Sequence, residues 1–188
     1  MRIITGSARG MKLFSPEGED VRPTTQMAKE GIFSSVQFEI EGARVLDLFS
    51  GSGQLGLEAL SRGAAFAVFC DASADSVEIT KKNVMKTGFS DKSRILRREY
   101  GECIKQLGNA GEKFDFVFVD PPYSKNIVCE VVKRLVKNGL LNPGARIFCE
   151  TDDRDLEERL SAAEGVASVK MYKYGKSIIY TVRISGDD

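Results

Sequence analysis

The chain contains no histidine. That absence removes Ser-His-Asp triads, Cys-His dyads, HExxH zinc sites and imidazole general bases. Chemistry here must run on carboxylates, Lys, Tyr, backbone groups or a reactive cofactor. Net charge is missing as well, with 27 basic residues against 27 acidic ones in 188. A nucleic-acid partner would have to be held by a local basic patch and not by the global field. Arg2, Arg9 and Lys12 form one such patch, and Arg94, Arg97 and Arg98 another, though charged runs of this kind are more often solvated surface. No CxxC pair occurs among Cys70, Cys103, Cys129 and Cys149, which reads as reduced cysteines packing as small hydrophobes and not as disulfides or a metal site. The longest apolar run, Ala64 to Cys70, is far too short to cross a bilayer. The opening MRIITGSARGMKLFS has no apolar stretch and no cleavage-like site, so a cytoplasmic protein without a secretory signal or membrane partner is expected.

What is present is an alternation of short apolar strands and helices from about residue 43, the pattern of a parallel α/β sheet. Strands are expected at 44–49, 65–70, 93–98, 114–119 and 146–150. The helix after the second strand has Ser73 as N-cap, Asp75 in its first turn, lysines late and Gly88 just past its end. Val128, Val131, Val132, Leu135 and Val136 give the helix after the fourth strand a buried stripe, and Gly139 stops it. A polar helix is expected over 155–163, then strands at 166–172 and 177–184 joined by a tight turn, which makes the last strand antiparallel. Residues 1–42 read as a hairpin and helix extension of the same domain, whose main body is 43–188. Pro23 suits a first helical position.

Between the first strand and its helix stands Asp47-Leu-Phe49-Ser-Gly51-Ser52-Gly53-Gln-Leu-Gly56. Its GxGxxG spacing allows a tight turn and close approach of backbone to a ligand, which by itself fits a dinucleotide equally well. Asp47 argues against one, because a pyrophosphate dianion would lie close to its charge. S-adenosylmethionine carries a sulfonium and an ammonium and no phosphate, so Asp47 becomes attractive. Asp71, Glu99 and Asp120 extend the same acidic rim at successive strand ends, where open α/β sheets bind ligands. Asp71 is placed to bind ribose hydroxyls; Glu99 is nearly as well explained as a helix cap.

Asp120-Pro121-Pro122-Tyr123 follows the fourth strand. Two prolines stiffen the loop and remove two donors. The Asp120 carboxylate and the Pro121 carbonyl are pure acceptors that can take both hydrogens of an –NH2 group on a base, and Tyr123 offers a face for an extruded base. With an electrophilic donor, positioning supplies much of the rate.

The stretch from Asp47 to Ala64 together with DPPY resembles the small-subunit ribosomal RNA guanine-N2 methyltransferases of the RsmD family. MRIITGSARGMKL, Val21-Arg-Pro-Thr-Thr25 and Tyr174-Gly175 are also similar to that family. The resemblance implies a Rossmann-like class I methyltransferase, with a seven-stranded mixed sheet and an N-terminal β-hairpin that helps grip RNA. It further implies S-adenosylmethionine as donor, no metal, and guanine of 16S rRNA in an assembling small subunit as target, with the enzyme acting as a monomer. Arg22, Pro23 and Thr24 would lie beside the cofactor and the target pocket, with Phe49, Gly51, Ser52 and Gly53 at the cofactor. Asp71 replaces the family's commoner Glu, and Glu99 its commoner Asp. Alternatives are a DNA adenine-N6 or cytosine-N4 methyltransferase, an NAD-dependent oxidoreductase, and a non-catalytic RNA-binding factor on the same fold. Removing residues 1–14 is expected to weaken RNA binding while sparing the cofactor site.

Overall fold

The computed structural model describes residues 1–15, 23–121, 127–175 and 177–186, with the side chains of 23–25 left aside. Strands β1 (Arg44–Asp47), β2 (Phe66–Asp71), β3 (Ser93–Arg97), β4 (Phe114–Val119), β5 (Leu141–Thr151), β6 (Val166–Tyr174) and β7 (Ser177–Ile184) form one sheet. Their order is β3-β2-β1-β4-β5-β7-β6. The first five run parallel, and β7 is antiparallel to both β5 and β6. β1, β2 and β4 are buried on both faces, which is why Val45-Leu46, Ala67 to Cys70 and Phe116 to Val119 read as continuous apolar runs.

Helices α1 (Pro23–Ser35), α2 (Gln54–Ser61), α3 (Ala74–Thr87), α4 (Tyr100–Asn109), α5 (Ile127–Lys137) and α6 (Glu157–Ser161) cover the two faces. Side chains of α1 and α2, with Val84 of α3, build one core against the sheet, and those of α4, α5 and α6 build the other. The anticipated caps of α3 are present. Ser73 accepts from the Ser76 N–H at 3.3 Å, and Gly88 closes the helix in the left-handed conformation. Val128, Val131, Val132 and Leu135 are fully buried on α5.

Strand ends shift by one or two residues at β1, β2, β3 and β6, and three elements differ from expectation more visibly. α4 falls in a stretch where no helix was expected; its apolar face is only Cys103, Ile104 and Leu107, and Gly101 and Gly108 weaken its propensity. β5 begins at Leu141, because the register shift opposite Phe114/Phe116 absorbs Pro143 and Gly144. α6 is shorter at each end than the polar segment suggested. All four cysteines are buried and free, as expected. Among the described residues no helix is long and apolar enough to cross a membrane.

The way the amino-terminal arm is held bears on the expected effect of deleting residues 1–14. It doubles back through a single antiparallel bridge between Arg2 and Lys12, with Ile3 N–H donating to the Met11 carbonyl at 3.0 Å. Ile3, Ala8 and Leu13 are buried in the core beside α1 and α2. Glu58 of α2, fully buried, accepts from the Ile4 and Thr5 N–H groups at 2.8 and 3.0 Å. The same carboxylate pairs with Lys29 at 3.4 Å and Arg62 at 2.9 Å, and Lys29 also donates to the Arg2 carbonyl. Gly6, at φ 89°, lies so close to α2 that a Cβ would overlap the Ser61 carbonyl oxygen. Residues 1–14 are therefore part of the packed body, and deleting them would strand a buried carboxylate.

Breaking a buried charge network by removing one partner costs about 3–5 kcal/mol. Glu58→Ala is expected to lose stability on that scale in urea unfolding and to expose the arm to limited proteolysis. A loss below about 1 kcal/mol with an uncut arm would mean that the network is not what docks it.

Candidate active site

Register places the acidic rim. Asp47 pairs with Phe69 of β2 and with Phe118 of β4, so Asp71 and Asp120 each stand two residues further along their chains. Asp71 in turn pairs with Arg97, which puts Glu99 two beyond the end of β3. All four carboxyls therefore belong to the carboxyl-terminal edge of the parallel strands, and each step of two preserves the side of the pleat.

The glycine loop crosses this edge in a conformation that only its glycines favour. Gly51 and Gly53 have φ of 53° and 78°, and Gly53 N–H closes the turn on the Ser50 carbonyl at 2.6 Å. A Cβ on Gly51 would project into open space, so the missing side chain leaves the backbone approachable there. Asp71 accepts from the Gly51 N–H at 2.8 Å and from the Ser73 N–H at 2.9 Å, fixing the loop to the end of β2. α3 supplies two further anchors. Thr80 Oγ1 donates to the Gly51 carbonyl at 2.8 Å, and Asn83 Nδ2 donates to the Ser52 carbonyl at 2.8 Å. Both side chains are fully buried.

Sequence reasoning missed Thr80 and Asn83. The available signal was polar residues three apart on the inner face of an amphipathic helix, where apolar ones belong.

Asp47 is buried beneath the loop and accepts the Gly56 N–H at 3.0 Å, tying β1 to the first turn of α2. Ser52 is buried too, its hydroxyl donating to Met1 Sδ at 3.2 Å. Phe49 is half-buried with its ring 5.5 Å from that of Tyr100. Glu99 is exposed and caps α4 through the Gly101 N–H at 2.8 Å, which is the bland role foreseen for it. Asp120 and Pro121 are half-buried at the end of β4. Pro122, Tyr123 and Arg22 lie outside the described residues, as does the side chain of Thr24. Arg2, Arg9 and Lys12 are exposed on the arm, and the bridge sets Arg2 and Lys12 directly opposite each other.

The donor set fits S-adenosylmethionine. The buried Ser50 hydroxyl on the same loop has no hydrogen-bond partner among the described residues. Beside it lie the open face over Gly51 and the carboxylates of Asp47 and Asp71, which suit a ligand with hydroxyls and positive charge. No group of three or more His, Cys, Asp or Glu residues that could hold a metal ion occurs among the described residues.

Burial pushes the Asp47 carboxyl up to about 7; the Gly56 N–H pulls it down, and the charge of Asp71 adds to the rise. A folded-state value above the unfolded one means the folded protein binds the extra proton between about pH 4 and 7. Stability from this group is therefore full below about pH 4 and is lost as pH rises through 7. Asp47→Asn should flatten the fall in unfolding free energy between pH 5 and 8, read by urea titration of ligand-free protein. Parallel pH profiles for variant and wild type would show that Asp47 does not titrate in this window.

Comparison with known proteins agrees with this architecture. The family described as Conserved hypothetical protein 95 matches residues 1–183. Ribosomal RNA small subunit methyltransferase D of Escherichia coli K12 is 36% identical over 154 residues, covering 81% of this chain and 75% of that one. The solved structure of yhhF from Escherichia coli superposes with a TM-score of 0.86 at 30% identity, covering 100% of this chain and 99% of the other. The Thermus thermophilus 16S rRNA N2 G1207 methyltransferase RsmC, in complex with AdoMet and guanosine, gives a TM-score of 0.73 at 19% identity. It covers 90% of this chain and 45% of RsmC, and shares the fold. A family match over nearly the whole chain, with a relative more than a third identical, establishes that this protein belongs to the RsmD family.

Proposed function

We infer that this protein transfers a methyl group from S-adenosylmethionine to the exocyclic N2 amine of a guanine in small-subunit 16S ribosomal RNA. The observation that carries the reading is the register of the rim, which sets Asp120 and Pro121 beside the strand end that bears Asp47 and the glycine loop. A cofactor cradle and an amine-accepting loop thus share one edge. The relative named ribosomal RNA small subunit methyltransferase D supports the substrate class.

The cofactor supplies a methyl group made electrophilic by its sulfonium. The chain's own work is to bind, orient and stabilise. Asp71 and the glycine loop form the cradle, with Asp47 below it as the acid nearest a cationic ligand. The Asp120 carboxylate and the Pro121 carbonyl accept the two amine hydrogens, which leaves the nitrogen lone pair free to face the methyl. The Asp120 charge also stabilises the positive charge that develops on that nitrogen. Arg22, Thr24, Pro122 and Tyr123 complete the pocket in this reading. Arg2, Arg9 and Lys12 meet the RNA backbone, since cations set opposite each other repel until an anion joins them. The protein acts as a cytoplasmic monomer on an assembling small subunit.

S-adenosylhomocysteine should raise the melting temperature, as a ligand that binds only the native state does, and NAD should not. Asp120→Ala should slow single-turnover methyl transfer about 100-fold or more while leaving S-adenosylhomocysteine affinity nearly intact. Mass-spectrometric nucleoside analysis of the RNA identifies the product. Full activity in Asp120→Ala, or stabilisation by NAD alone, would overturn the reading.

A further inference from the structure

The arm and the cofactor loop meet at one side chain. Asn83 of α3 is fully buried and spends its whole amide on two segments far apart in sequence. Its Oδ1 accepts the Phe14 N–H at 2.7 Å, and its Nδ2 donates to the Phe14 carbonyl at 2.9 Å. The second Nδ2 hydrogen goes to the Ser52 carbonyl in the glycine loop at 2.8 Å. A primary amide has two donor hydrogens, so both are committed. A parallel link runs from the Ser52 hydroxyl to Met1 Sδ at 3.2 Å, at the other end of the arm. Ser52 is thus tied through its carbonyl and its hydroxyl to the two ends of residues 1–14.

We propose that Asn83 is a positioning residue that couples the arm to the cofactor loop, so that RNA held by the arm and a nucleoside cofactor held by the loop strengthen each other's binding. Displacement of Phe14 must move the Asn83 amide or break a buried hydrogen bond, and the same amide fixes the peptide after Ser52. Either ligand that holds its own segment in the bonded arrangement removes part of the ordering cost for the other. By linkage the effect is reciprocal. Thr80 provides the contrast. It anchors the neighbouring Gly51 carbonyl at 2.8 Å and, among the described residues, makes no hydrogen bond to the arm. It supports the loop without linking it to the arm.

The proposal rests on the methyltransferase reading and is tested by equilibrium dialysis of S-adenosylhomocysteine. Dialysis is run with and without saturating small ribosomal subunits from cells lacking this protein. The wild type should bind S-adenosylhomocysteine about fivefold more tightly in the presence of subunits. Asn83→Ala, checked for folding by circular dichroism, should lower that ratio toward one, the Met1 link alone remaining. Phe14→Pro removes the backbone donor on a half-exposed residue and should lower the ratio in a chain that folds even where Asn83→Ala does not. Thr80→Val should weaken binding in both conditions and keep the ratio. A wild-type ratio of one, or an unchanged ratio in both the Asn83 and Phe14 variants, overturns the coupling alone. Failure of the wild type to bind S-adenosylhomocysteine at all overturns the methyltransferase reading, and the coupling with it.

Discussion

A carboxylate with no contact with water has to be answered from within the protein, and Glu58 is answered from three directions. Backbone N–H groups of Ile4 and Thr5, the ammonium of Lys29 and the guanidinium of Arg62 converge on it. Burial pulls the Lys29 ammonium below its usual range, against the attraction of Glu58, so the pair is costly apart and tolerable together. Because its partners come from the arm, from α1 and from α2, satisfying this one charge brings three segments to a single place. Gly6 then passes over α2 where no side chain would fit. The consequence reaches the rim, since the arm so docked delivers Met1 and Phe14 to the surroundings of the glycine loop.

The loop itself has little reason to hold its shape alone. Two residues at positive φ are inexpensive for glycine but confer no rigidity, and an unsupported turn would sample many conformations. Its order comes from acceptors and donors lent by neighbours. Asp71 takes the Gly51 N–H, Thr80 and Asn83 take the two following carbonyls, and Asp47 holds the start of α2. Permissive backbone and fixed surroundings together give a loop that is preorganised and still open over Gly51.

How much of this could be read in the sequence follows from the range of each interaction. The strands of the parallel sheet were legible because burial on both faces leaves uninterrupted apolar runs, and α3 was legible because its caps are local chemistry at Ser73 and Gly88. The antiparallel last strand followed from the short turn before it. α4 was not legible, since its cap is a glutamate already assigned to the rim and its helix carries two glycines. The start of β5 was hidden by a proline and a glycine that a bulge accommodates. Most of all, the role of the arm was hidden. Glu58 in LGLEAL looks like an ordinary helix surface residue, and its partners lie 54 and 29 positions away or four residues on. The rim acids were found as a set, but the set concealed a division of labour. Glu99 caps a helix, while Asp71 holds the glycine loop and Asp47 the first turn of α2.

That division bears on why an acidic rim persists in a protein that must also stay folded. Asp47 ionised beneath the loop is a liability to the free chain, because burial opposes its charge and Asp71 repels it. Near neutral pH the acid therefore stands close to the balance between its two forms, and a small change in its surroundings decides which one prevails. A cationic ligand is such a change. On the proposed reading, arrival of the cofactor's positive end would favour the carboxylate that the empty fold disfavours, so part of the binding energy goes into ionising Asp47. A neutral residue there would give a more stable free protein and a site with a weaker preference for positive charge. The instability of Asp47 and the selectivity of the site are then one property, seen without and with its ligand.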